Sequence, residues 1–220
     1  HHLWAPLSVH LTAWLAVRLA VAGLCFGLVG AAFIELTALL RAGVGKVIAY
    51  PPIRTAVGGL AIVGLASLVG RGYLGLSTPL IERALAGDPL SFAVFALKIV
   101  FTAITLACAF PGGEVTPLFC IGATLGVALA APLHVPAVLL AGIGYVAVFA
   151  GASNTPLACT VLGVGMFGAG AVVPCAIGCV VAFVASGHRS IYSTQRVSVS
   201  KAGERIEEPR AIHHWWTGRT

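Results

Sequence analysis

The chain has 220 residues, of which 59% are hydrophobic and only 9% are charged, and its formal net charge is +6. A water-soluble domain of this size cannot cover its surface with so few charged side chains, so the composition excludes a soluble globular protein. Its apolar segments are uniformly hydrophobic, whereas the strands of a membrane β-barrel alternate apolar and polar residues. The composition therefore predicts an all-α, polytopic membrane protein.

The positive charge is concentrated at the C-terminal end of the chain. Residues 188–220 hold six of the 13 Lys and Arg residues but three of the seven acidic ones. A basic excess beside a membrane segment is typical of the cytoplasmic side. We therefore predict a transmembrane region at residues 1–187 and a basic cytoplasmic tail at residues 188–220. Since no whole domain carries the excess charge, we expect no nucleic-acid partner.

The first two predicted membrane segments are residues 11–40 and 55–69, separated by a loop that includes Pro51 and Pro52. The first is longer than the roughly 20 residues that a membrane span needs, so it should be tilted or extend beyond the lipid. Arg18 and Glu35 lie too far apart along this helix to pair, so each should contact another helix or the interface. Between residues 70 and 90 the sequence is more polar and predicts a short peripheral or re-entrant helix beginning at Thr78.

Residues 91–110 form a further predicted span, and the apolar segments that follow are shorter: 116–131, 135–151, 155–168 and 171–186. Several are too short for a full crossing. Short, interrupted helices are typical of transporters, which use them to bring helix ends to the middle of the membrane. The six cysteines lie in apolar segments and form no C-x-x-C pair, so we predict neither a metal nor a redox cofactor.

The triplet Thr-Pro-Leu occurs three times, at residues 78–80, 116–118 and 155–157. Thr is a favoured N-cap, and Pro is favoured at the first helical position. We therefore predict that a helix begins at each triplet with Thr as its N-cap. Ser153 and Asn154 precede the third triplet and add polar groups to that helix start.

Glu114 lies in the stretch FPGGEVTPLF. Among the Asp, Glu, Lys and Arg residues of the sequence, only Glu114 and Lys98 lie between residues 91 and 186. Gly112 and Gly113 permit backbone angles that other residues avoid, so the N–H groups of residues 113–116 are predicted to converge beyond the helix start. Such a start attracts anions through unpaired N–H groups and the helix dipole. Desolvation favours the neutral acid there and the helix start favours the carboxylate, so Glu114 can change protonation as an anion arrives or leaves. The alternative is a structural hydrogen-bond partner.

Tyr192 follows the last apolar segment, at the point where the basic tail begins. Aromatic side chains at such positions commonly anchor a protein at the membrane interface. The phenol is also a hydrogen-bond donor that can turn inward and bind an anion. The residues leave both interpretations open.

The sequence GGEVTPLFCIGATLG, residues 112–126, resembles the G-x-F-x-P signature of the CLC family of chloride channels and proton-coupled anion antiporters. Gly113, Val115 and Pro117 stand at its Gly, Phe and Pro positions. RGYLGLSTP, the Lys98 helix, AGASNTPLACTVLG and a Tyr after the last membrane segment occur in the family's order. The similarity covers nearly the whole chain and implies the C-terminal half of a CLC-type inverted-repeat fold with short and broken helices.

Within the family, the GGEVTP sequence is most similar to the CLC-F branch of fluoride/proton antiporters. The resemblance implies that Glu114 and Thr116 handle fluoride and couple its movement to protons. It also implies that the backbone N–H groups of Glu114 and Val115, with Gly113 before them and the phenol of Tyr192, line the anion site. Fluoride is small and strongly hydrated, so close hydroxyl and N–H donors and a protonated carboxyl are needed to offset its dehydration.

The resemblance further implies fluoride or chloride and protons as the transported ions, a lipid bilayer as the environment, and no cofactor. It implies a homodimer with one pathway per subunit, in a bacterial inner membrane with a cytoplasmic C-terminus, and a transporter rather than an enzyme. The family's first-half anion loop and external gating glutamate have no counterpart in this sequence. Gly165 stands where many relatives have an acidic residue, so this chain has no acidic side chain at that position to perform any role the acid has in those relatives.

Three other interpretations agree with parts of the sequence. The first is a chloride channel or chloride/proton antiporter of the same family. The second is a truncated, non-transporting fragment, since only the C-terminal half is matched. The third, an intramembrane enzyme with Glu114 as acid or base and a His partner, is disfavoured because no second acid, Ser/His pair or metal triad occurs at membrane depth.

Overall fold

The computed structural model describes residues 11–192, 195–199 and 205–211, which form eight α-helices and one pair of β-strands. The helices are α1 (Ala13–Val47), α2 (Pro51–Val69), α3 (Thr78–Ala86), α4 (Ala93–Ala107), α5 (Val115–Leu133), α6 (Ala137–Ser153), α7 (Pro156–Phe167) and α8 (Val172–Ala185). Two single 3-10 turns, Arg71–Tyr73 and Ala169–Ala171, precede α3 and α8. Of the described helices, α1, α2 and α5 are long and apolar enough to cross a membrane. Helices α3, α6, α7 and α8 are shorter, as the sequence predicted, whereas α4 has only 15 residues and is too short for the full span predicted at residues 91–110.

The two N-terminal helices are longer than the predicted segments. α1 continues to Val47, and α2 begins at Pro51, where two prolines occupy its first helical positions. Proline disrupts a helix interior but fits the first turn, because the first N–H groups of a helix have no intrahelical acceptor. The assignment of Pro51 and Pro52 to a loop was wrong for this reason.

Helices begin at all three Thr-Pro-Leu triplets, but Thr is the N-cap of only one of them. The N-caps of α3, α5 and α7 are Ser77, Glu114 and Thr155, and none forms a side-chain capping hydrogen bond. The Ser77 hydroxyl accepts a hydrogen bond from Lys98 instead, and the Thr155 hydroxyl pairs with that of Ser153. Side-chain partners elsewhere in the fold therefore replace the predicted local caps.

Lys98 is buried in α4, with 1% of its surface exposed. Its Nζ donates hydrogen bonds to the carbonyls of Tyr73 (3.1 Å) and Gly75 (2.7 Å) and to the hydroxyl of Ser77 (2.8 Å). A buried ammonium group is costly unless its donors are satisfied, and here three neutral acceptors satisfy them. Lys98 thereby fixes the turn before α3 to a membrane helix.

α5 and α6 are antiparallel and pack with their backbones in close approach. A Cβ atom added at Gly122 would lie 2.6 Å from the carbonyl carbon of Gly144, and one added at Gly126 would lie 2.5 Å from the carbonyl carbon of Leu140. Small residues permit this approach in lipid, where van der Waals packing drives helix association. The register places the beginning of α5 beside the end of α6.

α8 runs parallel to α6, and α7 is antiparallel to α8. The α6–α8 contacts pair Gly178 with Ile143 and Gly151 with Ala182, and the α7–α8 contact places Gly163 against Cys175. Four helix ends consequently meet at one end of the bundle. We call it the Glu114 end, and it comprises the starts of α5 and α7 and the ends of α6 and α8 at Val115, Pro156, Ser153 and Ala185.

Arg18 and Glu35, two of the charged residues of α1, contact other elements, as predicted. Arg18 donates through Nη1 to the carbonyl of His134 (3.0 Å), in the turn between α5 and α6. Glu35 pairs with Arg189, whose Nε lies 2.6 Å from Glu35 Oε1. α1 is thus tied to the rest of the bundle by polar contacts towards both of its ends.

The predicted basic tail contains secondary structure that the sequence interpretation did not anticipate. β1 (Arg196–Val199) and β2 (Arg205–Ala211) pair antiparallel, with Arg196 opposite Ala211 and a bulge between Val197 and Val199. The tail's cytoplasmic location remains a prediction. Residues 193–194, 200–204 and 212–220 of the predicted tail lie outside the described residues.

Candidate functional site

The start of α5 presents unpaired backbone donors. The N–H groups of Val115 and Thr116 make no hydrogen bond to any residue that the structure describes, and Pro117 has no N–H to offer. The first N–H groups of a helix point outward along its axis and carry the positive end of its dipole. The predicted helix start with unpaired donors is therefore present, and its attraction for anions stays a prediction.

The turn before this helix start does not have the predicted geometry. Neither Gly112 nor Gly113 adopts a positive φ, whereas Ala109 does, at 63°. The N–H groups of Ala109 and Phe110 donate to the carbonyls of Leu106 (3.4 Å) and Thr105 (3.3 Å), which is the Schellman pattern of a helix C-terminus. The chain therefore reverses at the end of α4, and the left-handed residue is an alanine.

Gly112 and Gly113 have a different effect from the one predicted. Both are exposed, and a Cβ atom added at either would meet nothing within 4 Å. The two glycines therefore leave open space in front of Glu114. Access to the N–H groups at the start of α5, rather than an unusual backbone angle, is what they provide.

The Glu114 carboxyl is partly buried and faces one positive side chain. Its side chain is 24% exposed, and Oε1 lies 3.8 Å from Nη2 of Arg41, which is 57% exposed. Glu114 precedes the spanning helix, and burial raises the pKa of its carboxyl, while the Arg41 guanidinium acts in the opposite direction. A raised pKa favours proton uptake nearer to neutral pH than for a free glutamate.

Sequence reasoning missed Arg41 because the first helix was predicted to stop at residue 40. In the structure α1 continues through this residue. α1 runs parallel to α6, with Phe26 near Gly144 and Gly30 near Val148. The continuation therefore carries Arg41 to the Glu114 end. The apolar residues beyond Arg41 were the available signal for a longer helix.

Thr116 lies in the first turn of α5, two residues from the N-cap Glu114. Its side chain is partly buried, and its hydroxyl makes no hydrogen bond to a described residue. Gly113, Glu114, Val115 and Thr116 are thus contiguous at one helix start. This helix start holds two N–H groups, one hydroxyl and one carboxyl. None of these groups makes a hydrogen bond to a described residue.

Ser153 and Asn154, which precede α7, are engaged within the protein. The Ser153 hydroxyl donates to the carbonyl of Phe149 (2.7 Å) and lies 2.5 Å from the Thr155 hydroxyl. The Asn154 Nδ2 donates to the carbonyl of Arg189 (3.0 Å). These polar groups tie the α6–α7 junction to the segment after α8.

Tyr192 is at the same end of the bundle as Glu114. The N–H of Ile191, its neighbour, donates to the carbonyl of Ala152 near the end of α6 (2.9 Å). The end of α6 lies beside the beginning of α5. Tyr192 is 46% exposed, and its phenol makes no hydrogen bond within the described ranges. The structure therefore places all five predicted residues at one end, although no hydrogen bond joins Tyr192 to the α5 start.

Comparison with known proteins gives three consistent similarities. A family model described as voltage gated chloride channel matches residues 3–187. A chloride/fluoride channel protein of Pseudomonas syringae pv. tomato is 44% identical over 195 residues, which is 86% of this chain and 43% of that protein. The crystal structure of a CLC-type fluoride/proton antiporter superposes with a TM-score of 0.82 and 38% identity, over 86% of this chain and 48% of that one.

The match covers most of this chain but about half the length of each of these two relatives. The predicted fold, one half of a CLC-type transporter built from short and broken helices, is confirmed by the superposition. Members of this family are transporters and not enzymes. The family match over residues 3–187, the 44% identity and the shared fold together show that this chain belongs to the CLC family of voltage-gated chloride channels and anion transporters.

Proposed function

We propose that the protein containing this chain exchanges fluoride for protons across a membrane and exports fluoride from the cytoplasm. The observation that carries the proposal is the set of unpaired donors at the α5 start. The N–H groups of Val115 and Thr116 and the Thr116 hydroxyl make no hydrogen bond to a described residue. The partly buried Glu114 carboxyl lies beside them. The 38% identity to a structure described as a fluoride/proton antiporter supports the same conclusion.

The chemistry of the α5 start suits a small anion. A fluoride ion must lose tightly held water to bind, and charge-assisted hydrogen bonds from N–H and O–H donors are the strongest replacements that a protein offers. The donors in this proposal are the Thr116 hydroxyl, the Tyr192 phenol and the N–H groups of Glu114, Val115 and Thr116, which follow Gly113 and donate to no described residue. The N–H donors belong to the backbone and the Thr116 hydroxyl is on a short side chain, which suits an ion of small radius.

Glu114 is the proton-coupling group in this proposal. A protonated carboxyl donates a hydrogen bond to a nearby anion, whereas a carboxylate repels it. Proton binding at Glu114 and fluoride binding at the α5 start are therefore linked. The Arg41 guanidinium, 3.8 Å from the carboxyl, favours the ionised state and so supports proton release.

The assembly and orientation belong to the same proposal. Residues 1–187 form the membrane region and residues 188–220 the cytoplasmic tail, in a homodimer in a bacterial inner membrane. Exposed apolar side chains on α7, including Leu157 (78%) and Val161 (71%), require lipid or a second subunit against them.

The test is ion flux from liposomes that contain the full-length protein. The wild type should move fluoride faster than chloride and should move protons in the opposite direction. Glu114→Gln keeps the shape of the side chain but removes its ionisation, so proton movement should fall at least about tenfold, as expected for loss of a proton-transfer group. Glu82→Gln, the same substitution at an exposed position of α3, is the matched control and should leave both fluxes unchanged.

Two outcomes would reject this proposal. Equal fluoride and chloride fluxes would remove the fluoride assignment, and unaltered proton coupling in Glu114→Gln would remove the role of that carboxyl. The second candidate function is a chloride channel or chloride/proton antiporter. The Pseudomonas relative is named a chloride/fluoride channel protein, which favours a channel over an antiporter. Chloride flux without proton movement would establish the channel.

A further inference from the structure

The segment after α8 is held by a compact set of hydrogen bonds around one amide side chain. The Oε1 of Gln195 accepts hydrogen bonds from Asn154 Nδ2 (3.2 Å) and from the Ser190 hydroxyl (2.7 Å). Its Nε2 donates to the carbonyl of Ser153 at the end of α6 (3.3 Å). We call Asn154, Ser190 and Gln195 the clasp. The amide of Gln195 thus uses both of its ends to join the segment to the α6–α7 junction.

The clasp holds Tyr192 from both sides along the backbone. The N–H of Tyr192 donates to the Ser190 hydroxyl (3.1 Å), and the carbonyl of Tyr192 accepts from the N–H of Gln195 (3.0 Å). The N–H of Ile191 is anchored separately on the carbonyl of Ala152 (2.9 Å). The backbone of Tyr192 is therefore fixed relative to the end of α6, and α6 lies against the start of α5.

The side chain of Tyr192 has no such restraint of its own. Its phenol makes no hydrogen bond within the described part of the chain, and 46% of the residue is exposed. The backbone therefore fixes the Cα–Cβ bond from which the phenol extends, and with it the region that the phenol can reach. An O–H donor must lie within about 2.5–3.0 Å of its acceptor, so a small backbone displacement is enough to break a contact with an ion.

Asn154 has the backbone conformation that this junction requires. Its φ is 59°, in the left-handed region, which asparagine adopts more readily than most residues. This conformation ends α6 and aims the amide at the segment after α8, where Nδ2 also donates to the carbonyl of Arg189 (3.0 Å). One residue therefore both turns the chain into α7 and begins the clasp.

We infer that Gln195, through the clasp with Asn154 and Ser190, is a positioning residue that holds the Tyr192 phenol at the anion site. This inference rests on the proposed function, since it takes Tyr192 as a donor to the transported anion. It assigns ion selectivity in part to an amide beyond the last membrane helix. Gln195 acts only through Tyr192 and does not touch the ion.

The experiment measures fluoride and chloride flux from liposomes containing the full-length protein and its variants. Tyr192→Phe removes one hydrogen bond to an ion, so the fluoride concentration for half-maximal flux should rise about tenfold or more. Gln195→Met is similar in length but removes every clasp bond of the amide. Gln195→Met should raise the fluoride concentration for half-maximal flux several-fold. It should also lower the ratio of fluoride flux to chloride flux, as Tyr192→Phe does, and should change the maximal flux less.

Two further variants separate positioning from general stability. Asn154→Gly keeps the left-handed backbone but removes the amide, so it should reproduce the selectivity change of Gln195→Met even if that variant folds poorly. Thr160→Val removes the hydroxyl that bonds to the carbonyl of Pro156 (2.8 Å) within α7 and to Cys179 of α8. Neither bond involves the clasp, so this variant should leave selectivity unchanged. In the double variant with Tyr192→Phe, Gln195→Met should add no further change in selectivity, since the two act through one group.

Each alternative result has a separate meaning. If Tyr192→Phe changes selectivity but Gln195→Met and Asn154→Gly do not, the positioning role is overturned while the proposed function stands. Additive effects in the double variant also overturn it. If Tyr192→Phe leaves fluoride flux and selectivity unchanged, the proposed donor role of Tyr192 fails, and the inference fails with it.

Discussion

Gly122→Ala is expected to destabilise the protein because it forces apart the two most closely packed helices of the bundle. The added Cβ atom would lie 2.6 Å from the carbonyl carbon of Gly144, about 1 Å closer than the contact distance of non-bonded carbon atoms. The obstructing atoms belong to the backbone of α6, so no side chain can rotate away. Either helix must move, and the contacts along the whole α5–α6 interface loosen together.

The expected loss of stability can be estimated by comparison with Gly165→Ala in α7, where a Cβ atom would meet nothing within 4 Å. Replacing Gly by Ala favours a helix by about 1 kcal/mol at either position, so that contribution cancels. Overpacking costs typically about 1–3 kcal/mol, and a rigid backbone neighbour places Gly122 at the upper end. Gly122→Ala should therefore be about 3 kcal/mol less stable than Gly165→Ala.

The assay is equilibrium unfolding of both variants of the full-length protein, under the same membrane-mimetic conditions, with the wild type alongside. Gly165→Ala should be at least as stable as the wild type, and Gly122→Ala clearly less stable. Gly144→Ala, which would place its Cβ atom 2.9 Å from the carbonyl carbon of Gly122, should resemble Gly122→Ala. Equal stability of Gly122→Ala and Gly165→Ala would show that α5 and α6 do not approach as described.

Two further substitutions act at the turn and the ion pair beside the α5 start. Ala109→Gly should raise the stability of the protein by about 1 kcal/mol, because glycine adopts the left-handed φ of 63° without the steric cost that alanine has. Unfolding measurements that show a loss of stability would contradict this prediction. Arg41→Gln removes the guanidinium that lowers the pKa of Glu114, so the pH at which proton-coupled transport is half-maximal should move upward. Because Arg41 is 57% exposed and solvent screens the pair, the change should be under about one pH unit, and a downward change would reject the assigned interaction.

The sequence was sufficient for most of the helices because hydrophobic segments and their interruptions are local properties. The short helix at Thr78 and the broken helices after Glu114 were predicted close to their observed bounds. Proline-rich boundaries were less reliable, since Pro51 can end a loop or begin a helix. Backbone angles that other residues avoid were expected at Gly112 and Gly113, but the residue with a positive φ is Ala109, a residue type that carries no signal for this conformation.

The candidate site was predicted in part. The position of Glu114 at a helix start follows from its neighbours along the chain, and the structure agrees. Its ion pair with Arg41 depends on the parallel packing of α1 and α6, which no local pattern indicates. The contact of Gln195 with Asn154 joins residues 41 positions apart, and both are ordinary polar residues in sequence. Such pairs require the tertiary fold.

The helix ends that meet at the Glu114 end are of both polarities. α5 and α7 begin there, and α6 and α8 end there. Each start carries roughly half a positive elementary charge and each end roughly half a negative one, so neighbouring contributions cancel a short distance away. An ion in the surrounding water therefore experiences little net attraction from these four helices. Only an ion that has shed its hydration shell and touches a single helix start senses an uncompensated charge. Under the proposed function, this arrangement would therefore select ions by the cost of dehydration rather than by long-range electrostatic attraction.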